Sequence, residues 1–205
     1  MKISEFNSEL IKKISGQLMS PRILLDRLRL VDDTSRQSSQ YQDPLYLPFY
    51  FHLSRYISPK TVLQIGLNLG LEICCFLQGN KNIDRFYGFQ NSTDDYYSER
   101  MALSNIRGIN KKILIDYYYG KIYDKTFLNN AYKFDFIIIN EKSDFDRIKE
   151  TLDVCWDKLN LDGILLLDFL KYDKKINEIF LDFCKSQNRD GQVYKTRYGT
   201  GIVQK

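Results

Sequence analysis

The hydrophobic positions of this chain change periodicity repeatedly between residues 61 and 186. Short apolar runs rich in β-branched and aromatic residues are typical of buried strands, and an apolar position every third or fourth residue is typical of amphipathic helices. The predicted strands are Thr61–Ile65, Arg85–Phe89, Lys112–Tyr117, Phe134–Asn140 and Gly163–Phe169. The predicted helices are Leu69–Leu77, Asp94–Ile106, Tyr123–Tyr132, Asp144–Leu159 and Lys174–Ser186. This alternation predicts right-handed βαβ crossovers and a largely parallel sheet with helices on both faces.

The carboxyl end of the chain follows a different pattern. Gln192–Tyr198 and Ile202–Lys205 are strand-like, and the segment Gly199–Gly201 between them has the composition of a turn. Two strands joined in this way form an antiparallel hairpin. The sequence therefore predicts a doubly wound, mostly parallel sheet of seven strands that ends in an antiparallel hairpin.

The amino-terminal part of the chain precedes the alternation of strands and helices. Apolar positions at helical spacing over residues 3–31 predict two amphipathic helices, whereas residues 32–43 are polar and lack periodicity. A third helix is predicted over Leu45–Tyr56. We therefore divide the chain into an N-terminal helical extension with a polar loop, residues 1–44, and one α/β domain, residues 45–205.

The composition indicates one folded domain and argues against a nucleic-acid partner. The length of 205 residues suits one domain with a single core, and 43% hydrophobic and 27% charged residues are typical of a folded globular protein. The net charge is +4, and the basic residues are dispersed along the chain. Proteins that bind nucleic acid usually concentrate their basic residues on one stripe, so no nucleic-acid partner is expected.

The cysteines indicate the compartment. Cys74, Cys75, Cys155 and Cys184 have no CxxC spacing and no neighbouring histidine, which favours buried, reduced thiols. The first residues, MKISEFNSEL, contain no uninterrupted apolar stretch, so we expect no signal peptide, and no apolar run approaches the length that spans a membrane. We expect a cytoplasmic protein, or one assembled into a particle that is made in the cytoplasm.

Three segments carry a resemblance to a known family. VLQIGLNLG, residues 62–70, resembles motif I of the class I S-adenosylmethionine-dependent methyltransferases, in which a strand leads into a glycine-rich turn. FDFIIIN and LNLDGILLLDFL resemble the fourth strand and the passage into the fifth. The closing RYGTGIVQK resembles the terminal hairpin strand of small O-methyltransferases of the macrocin and sugar methyltransferase group. The resemblance covers residues 45–205 and implies a Rossmann-like fold with S-adenosylmethionine as cofactor.

The resemblance also implies roles for particular residues. The cofactor-binding positions are Gln64, Gly66, Asn68 and Gly70 in the turn, Gln90 and Asn91 after the second strand, and Asp116 and Tyr117 after the third. Gln90 would lie near the ribose, and the region of Asp116 and Tyr117 would contact the adenine ring. The catalytic positions are Asn140, which would face the methyl group, and Asp168 at the end of the fifth strand.

Several of these positions depart from the pattern of the family. Gln64, Gln90 and Asn140 are neutral where an acidic residue is usual, so charge-assisted hydrogen bonds to the cofactor would be absent. Metal-dependent relatives bind a divalent ion near the fourth and fifth strands. Glu141 and Asp168 could share a cation there, but we expect no metal.

The only histidine, His52, lies in the aromatic segment LPFYFHLSRY. A histidine at the mouth of a cleft could act as a general base. A lone histidine in an aromatic helix is more often a partly buried packing residue, and we favour that interpretation.

Two functions remain open. The first is a methyltransferase that uses S-adenosylmethionine to methylate a small hydroxyl-bearing or sugar-like acceptor, with a small molecule as partner. The second is a catalytically inactive protein of the same fold that serves as a structural or assembly subunit of a larger complex, for example a phage virion. The neutral residues at the cofactor positions favour the second function. The N-terminal helices, residues 3–30, would then dock on a protein partner. Whether the chain is an enzyme is therefore left open at this stage.

Overall fold

The computed structural model describes residues 43, 45–90, 96–120, 132–141 and 144–205. The two predicted N-terminal helices, most of the polar loop and Asn91 lie outside the described residues. So does the predicted helix Tyr123–Tyr132, except for Tyr132 itself. The division between an N-terminal extension and residues 45–205 therefore stays a prediction.

Five helices and seven strands are present in the described residues. The helices are α1 (Tyr46–Ile57), α2 (Leu71–Gly79), α3 (Tyr96–Ile109), α4 (Phe145–Lys158) and α5 (Lys174–Ser186). The strands are β1 (Thr61–Ile65), β2 (Arg85–Gln90), β3 (Leu114–Tyr119), β4 (Phe134–Ile139), β5 (Leu159–Asp168), β6 (Gln192–Tyr194) and β7 (Thr200–Gln204). Each element that was predicted within the described residues is found, with ends that differ by a few residues.

The strands form one sheet in the order β3-β2-β1-β4-β5-β7-β6. Strand β1 pairs in parallel with β2 and β4, and β4 pairs in parallel with β5. Strand β7 is antiparallel to both β5 and β6. The predicted doubly wound, mostly parallel sheet with an antiparallel hairpin at its end is thereby confirmed.

The turn of the closing hairpin lies earlier than the sequence suggested. Thr200 and Gly201 belong to β7, and the turn ends at Gly199, which has a φ of 72° and donates its backbone N–H to the Thr196 carbonyl. A Cβ at Gly201 would lie 2.6 Å from Leu170 Cδ1. Glycine is present at 201 because a side chain there would overlap Leu170. In the sequence, a glycine that is required by packing looks the same as a glycine that is required by a turn.

The described residues divide into two compact units. The first is helical and comprises residues 43–60, 67–84 and 96–114. Helices α1 and α2 approach so closely that a Cβ at Gly79 would lie 2.2 Å from the Phe51 carbonyl oxygen. The hydroxyl of Tyr46 donates to Glu72 Oε1 at 3.1 Å, and both side chains are buried. A buried carboxyl group is tolerated only with such partners, so this bond helps to fix how α1 packs on α2.

His52 lies on α1 within this helical unit and is 7% exposed. Burial, together with the nearby charge of Arg55, lowers the pKa of its imidazole. The side chain of Phe51 packs edge-on against the imidazole ring. These contacts support a packing role for His52.

The second unit comprises residues 61–66, 85–90, 115–120, 132–141 and 144–205. One face of its sheet packs against α4 and α5 around a continuous buried core. The core residues contributed by the two helices are Ile148, Leu152, Cys155, Trp156, Ile176, Phe180, Phe183 and Cys184. Burying each large apolar side chain stabilises the fold by about 1.5–3 kcal/mol. Because β4 and β5 share this close-packed core with α4 and α5, their carboxyl ends are held in place.

All four cysteines are free and buried, as predicted. Burial raises the pKa of each thiol, that of Cys184 to about 12. They are therefore protonated packing residues rather than nucleophiles. No helix of the described segments has the length and hydropathy needed to cross a bilayer.

Candidate functional site

The carboxyl ends of β1, β2 and β4 meet at one edge of the sheet. The backbone N–H of Gly66, just after β1, donates to the Phe89 carbonyl on β2 at 2.9 Å. On the other side, the N–H of Asn140 donates to the Ile65 carbonyl at 2.8 Å. The strand order reverses at β1, because β2 follows on one side and β4 on the other. In open α/β sheets, ligands bind outside the strand ends at this reversal, so this edge is the candidate site.

Gly66 is required by its backbone. Its φ is +76°, which L side chains rarely adopt, and a Cβ would lie 2.2 Å from the Asn140 carbonyl oxygen. Glycine thus lets the turn after β1 pass directly beside the end of β4. This close approach brings Gly66, a predicted cofactor position, next to the predicted catalytic Asn140.

Gln64 is fully buried near the end of β1. Its Nε2 donates to the Gly66 carbonyl at 3.1 Å, which fixes the start of the turn. Its Oε1 accepts no hydrogen bond within the part of the chain that the structure describes. Because Gln64 pairs with Ile138 and side chains alternate along strands, Gln64 and Asn140 belong to the same face of the sheet.

The side chain of Asn140 is 2% exposed, yet neither Oδ1 nor Nδ2 has a hydrogen-bond partner among the described residues. Leaving a buried donor or acceptor unsatisfied costs about 1–3 kcal/mol, so native proteins keep few such groups, and a ligand, an ion or water is the usual partner. Asn140 therefore has hydrogen-bonding capacity available at the candidate edge.

The second half of the turn, residues 67–70, belongs to the helical unit. Asn68 is exposed and has a φ of 46°, a left-handed conformation that asparagine tolerates better than most residues. Gly70 has a φ of 67°, and a Cβ there would lie 3.0 Å from Ala102 Cβ on α3. Asn68 therefore preserves a turn conformation that is usually built with glycine.

Gln90 ends β2 and is half-buried. Its carbonyl accepts the backbone N–H of Gly120, the residue that follows β3. Gln90 thus lies at the same edge of the sheet as Gly66. Its predicted role beside the ribose stays a prediction.

Asp116 and Tyr117 lie within β3 rather than after it, because β3 extends to Tyr119. The carboxylate of Asp116 accepts a 2.7 Å hydrogen bond from Arg85 Nε at the start of β2, and this bond raises the pKa of Arg85. The ring of Tyr117 packs edge-on against that of Tyr119. Asp116 therefore forms an ion pair with Arg85 at the beginning of β2, away from the carboxyl end of that strand. Tyr119 ends β3, and Gly120 follows it.

Asp168 ends β5 and is 2% exposed. Its Oδ1 accepts a 2.7 Å hydrogen bond from the hydroxyl of Thr200, which lies 2.9 Å from the hydroxyl of Thr196. The sequence did not predict that these threonines lie near Asp168, because only the antiparallel pairing of β5 with β7 brings them there. The Thr200 hydroxyl therefore orients the carboxylate, and the Thr196 hydroxyl contacts that of Thr200.

A pocket of about 120 Å³ opens beside Asp168. Its lining combines carboxylates with apolar and aromatic side chains, namely Glu141, Phe145, Ile148, Asp168, Phe169, Tyr172, Asp173 and Ile176. These residues follow β4 and β5 or begin α4 and α5. No group of three or more His, Cys, Asp or Glu side chains within the described segments is arranged to hold a metal ion.

Known structures resemble this arrangement, although no family model and no curated protein matches the sequence. The SAH-bound methyltransferase PaMTH1 of Podospora anserina superposes with a TM-score of 0.67 at 12% identity, over 97% of this chain and 94% of that chain. The SAM complex of the O-methyltransferase TomG of Streptomyces achromogenes gives 0.66 at 12% identity, over 100% and 98%. The SAH complex of an O-methyltransferase of Bacillus cereus gives 0.63 at 16% identity, over 94% and 100%. The chain has the class I methyltransferase fold.

Within the class I methyltransferase fold of this chain, Gly66, Gln90 and Asn140 lie at the carboxyl ends of three adjacent strands. Asp168 ends the next strand, β5. Asp116 is the predicted residue that lies apart, in its ion pair with Arg85. The roles of all these residues remain predictions.

Proposed function

We propose that this chain is an S-adenosylmethionine-dependent methyltransferase that transfers a methyl group to a small hydroxyl-bearing or sugar-like acceptor. The observation that carries the proposal is the buried Asn140 amide, which has no partner among the described residues at the strand reversal of a class I fold. Neighbours of the same fold were crystallised with SAM or SAH. A buried amide with unused hydrogen-bonding capacity is suited to a polar ligand.

The residues at the edge fit this cofactor. The Gly66 turn provides a backbone cradle that a side chain would fill, and Gln64 holds the carbonyl of that turn. Gln90 would accept a hydrogen bond from a ribose hydroxyl, with Asn91 beside it in the sequence. Contacts of Asn68 and Gly70 with the amino-acid moiety stay a prediction. Contacts of Asp116 and Tyr117 with the adenine ring stay a prediction.

The chemistry divides between cofactor and protein. When bound, S-adenosylmethionine supplies a methyl carbon that the acceptor oxygen attacks while the carbon–sulfur bond breaks and sulfur keeps the electron pair. Asn140 would hydrogen-bond the cofactor where its methyl group faces the acceptor, and Asp168, held by Thr200, would receive the proton that the acceptor hydroxyl loses. Alignment rather than a strong base would provide most of the rate enhancement.

The test is calorimetric titration of the full chain with S-adenosylmethionine and with S-adenosylhomocysteine. We expect micromolar binding of both, weakened about tenfold in Asn140→Ala through loss of a hydrogen-bonded contact. Asn177→Ala, an asparagine of α5 away from the edge, is the matched control and should bind like the unmodified chain.

The second function, an inactive structural or assembly subunit, is favoured by one observation. Gln64, Gln90 and Asn140 are all neutral at positions where acids are usual in the family. Absence of binding at millimolar ligand, by a chain that melts cooperatively, would refute the enzyme and favour this alternative.

A further inference from the structure

Three buried side chains at the carboxyl end of β5 form one chain of hydrogen bonds. The hydroxyl of Thr200 donates to Asp168 Oδ1 at 2.7 Å, and the hydroxyl oxygens of Thr196 and Thr200 lie 2.9 Å apart. The exposed fractions of Asp168, Thr196 and Thr200 are 2%, 2% and 0%. Because bulk water has almost no access to these groups, the bonds between them are electrostatically stronger than the same bonds in water.

The direction of this chain of bonds follows from the number of hydrogens. A threonine hydroxyl carries one hydrogen, and Thr200 donates that hydrogen to Asp168. The Thr200 oxygen can therefore only accept the bond that it shares with Thr196, so the Thr196 hydroxyl is the donor. Both hydrogens point along the chain of bonds toward the carboxylate. Hydrogen bonds in such a series polarise one another, and donors to a carboxylate favour its ionised form.

The backbone around Thr196 is fixed by the segment that follows β5. Lys171 donates its backbone N–H to the Tyr198 carbonyl at 2.7 Å and its Nζ to the Thr196 carbonyl at 2.9 Å. The backbone N–H of Leu170 donates to the Gly199 carbonyl at 3.2 Å. None of these bonds involves a threonine hydroxyl, so a variant that loses only a hydroxyl should keep the turn in place.

Two further carboxylates act against the ionisation of Asp168. Glu141 and Asp173 are the other charged side chains that line its pocket within the described part of the chain. Like charges close together disfavour each other, so these neighbours favour a protonated Asp168. The Lys171 ammonium, which binds the Thr196 carbonyl, acts in the opposite sense, and so do the two hydroxyls. The hydroxyls therefore oppose a protonation that the acidic neighbours favour.

We infer that Thr196 and Thr200 are positioning residues that act in series on Asp168 and keep it ionised and in one orientation beside the pocket. Neither threonine lines the pocket, so both act through Asp168 rather than on a ligand. An ionised carboxylate can accept a proton, whereas a carboxyl group that is already protonated does not. The inference rests on the proposed methyltransferase function for the use of this proton acceptor. The series of bonds itself rests on the geometry alone.

The test follows the carboxyl group of Asp168 directly. The full chain is produced with isotope-labelled aspartate, NMR follows the side-chain carboxyl carbons across pH, and the Asp168 signal is assigned by its absence from Asp168→Asn. Thr200→Val should raise the pH at which Asp168 takes up a proton by about one unit, because the ionised form loses its donor. Thr200→Ser keeps a donor and should match the unmodified chain within about 0.1 units. An Asp168 that stays ionised until acid unfolds the unmodified chain, yet takes up a proton before unfolding in Thr200→Val, meets the same expectation.

Variants of Thr196 test the first donor of the series. Thr196→Val should raise the same pH by about 0.3 units, because it removes only the polarisation of the Thr200 hydroxyl, and Thr196→Ser should not. This pair decides the test if Thr200→Val does not fold. Thr151→Val is the control, because it removes the hydroxyl of a buried threonine of α4 that does not line the pocket. It should leave the titration of Asp168 unchanged.

The outcomes separate the inference from the proposed function. Equal titration of Asp168 in the unmodified chain, Thr200→Val and Thr196→Val would overturn the inference. A serine variant that behaves like the matching valine variant, or an equal shift in Thr151→Val, would overturn it too. None of these measurements uses S-adenosylmethionine, so each result leaves the methyltransferase proposal standing. Conversely, a titration that depends on both hydroxyls would stand even if no cofactor binds, and only the methyltransferase proposal would then fail.

Discussion

Two neighbouring regions of the sheet differ sharply in charge. The amide edge, formed by Gln64, Gln90 and Asn140 at the ends of β1, β2 and after β4, carries neutral side chains. The pocket beside Asp168, here called the acidic pocket, is lined by the carboxylates of Glu141, Asp168 and Asp173. A buried amide without a partner costs much less than a buried carboxylate without one. The amide edge can therefore stay buried without a ligand, whereas Asp168 needs the donor that β7 supplies.

The largest expected effect concerns the turn that borders the amide edge. Gly66→Ala should lower the free energy of unfolding by about 2–4 kcal/mol, because the added Cβ would overlap the Asn140 carbonyl and φ is positive. Urea denaturation measures this change. Gly108→Ala is the control, since nothing lies within 4 Å of its added Cβ, and it should be neutral or stabilising by about 0.5–1 kcal/mol. Equal effects of the two substitutions would contradict the close approach of β1 and β4.

The acidic pocket should depend on its internal donor. Thr200→Val removes the hydroxyl that bonds Asp168 and should destabilise the fold by about 1–3 kcal/mol, because a buried carboxylate loses a partner. Thr200→Ser keeps the hydroxyl and should lose less, about 1 kcal/mol for the missing methyl group. Thermal melts of the two variants compare them directly. A Thr200→Ser variant that is the less stable of the two would refute this role of the hydroxyl.

An acidic residue at the amide edge should strengthen cofactor binding. Gln90→Glu should tighten S-adenosylhomocysteine binding by about fivefold to tenfold, because charge-assisted hydrogen bonds are roughly twice as strong as neutral ones. Gln187→Glu is the control, because it adds the same charge at the C-cap of α5. It should leave the affinity for S-adenosylhomocysteine unchanged. Weaker or unchanged binding by Gln90→Glu would remove Gln90 from the ribose position.

Much of the fold could be predicted from the sequence, because buried parallel strands such as Thr61–Ile65 and Phe134–Ile139 are short, apolar and regularly spaced. The end of β3 was placed two residues early, at Tyr117 instead of Tyr119, because its half-buried tyrosines give no clear alternation. Because of that shift, Asp116 was predicted to follow β3, whereas the residue lies within the strand.

The candidate site was less predictable than the fold. Gly66 and Asn140 could be named from their order along the chain, since strand ends in a parallel sheet meet at one edge. The contact between Thr200 and Asp168 depends on the register of β5 with β7 over a separation of 32 residues. No local pattern encodes such a register, and the acidic pocket likewise arises only when the residues after β4 and β5 come together.

We propose that the Asn140 amide is kept for a ligand at a cost in stability, and thermal melts of one variant with and without ligand test this role. Asn140→Leu keeps the size of the side chain but removes two buried polar atoms that have no partner among the described residues. Without ligand, the variant should be more stable than the unmodified chain by about 1 kcal/mol. With S-adenosylhomocysteine, its melting temperature should rise much less than that of the unmodified chain. A variant that is less stable than the unmodified chain without ligand, yet stabilised equally by S-adenosylhomocysteine, would refute this role of Asn140.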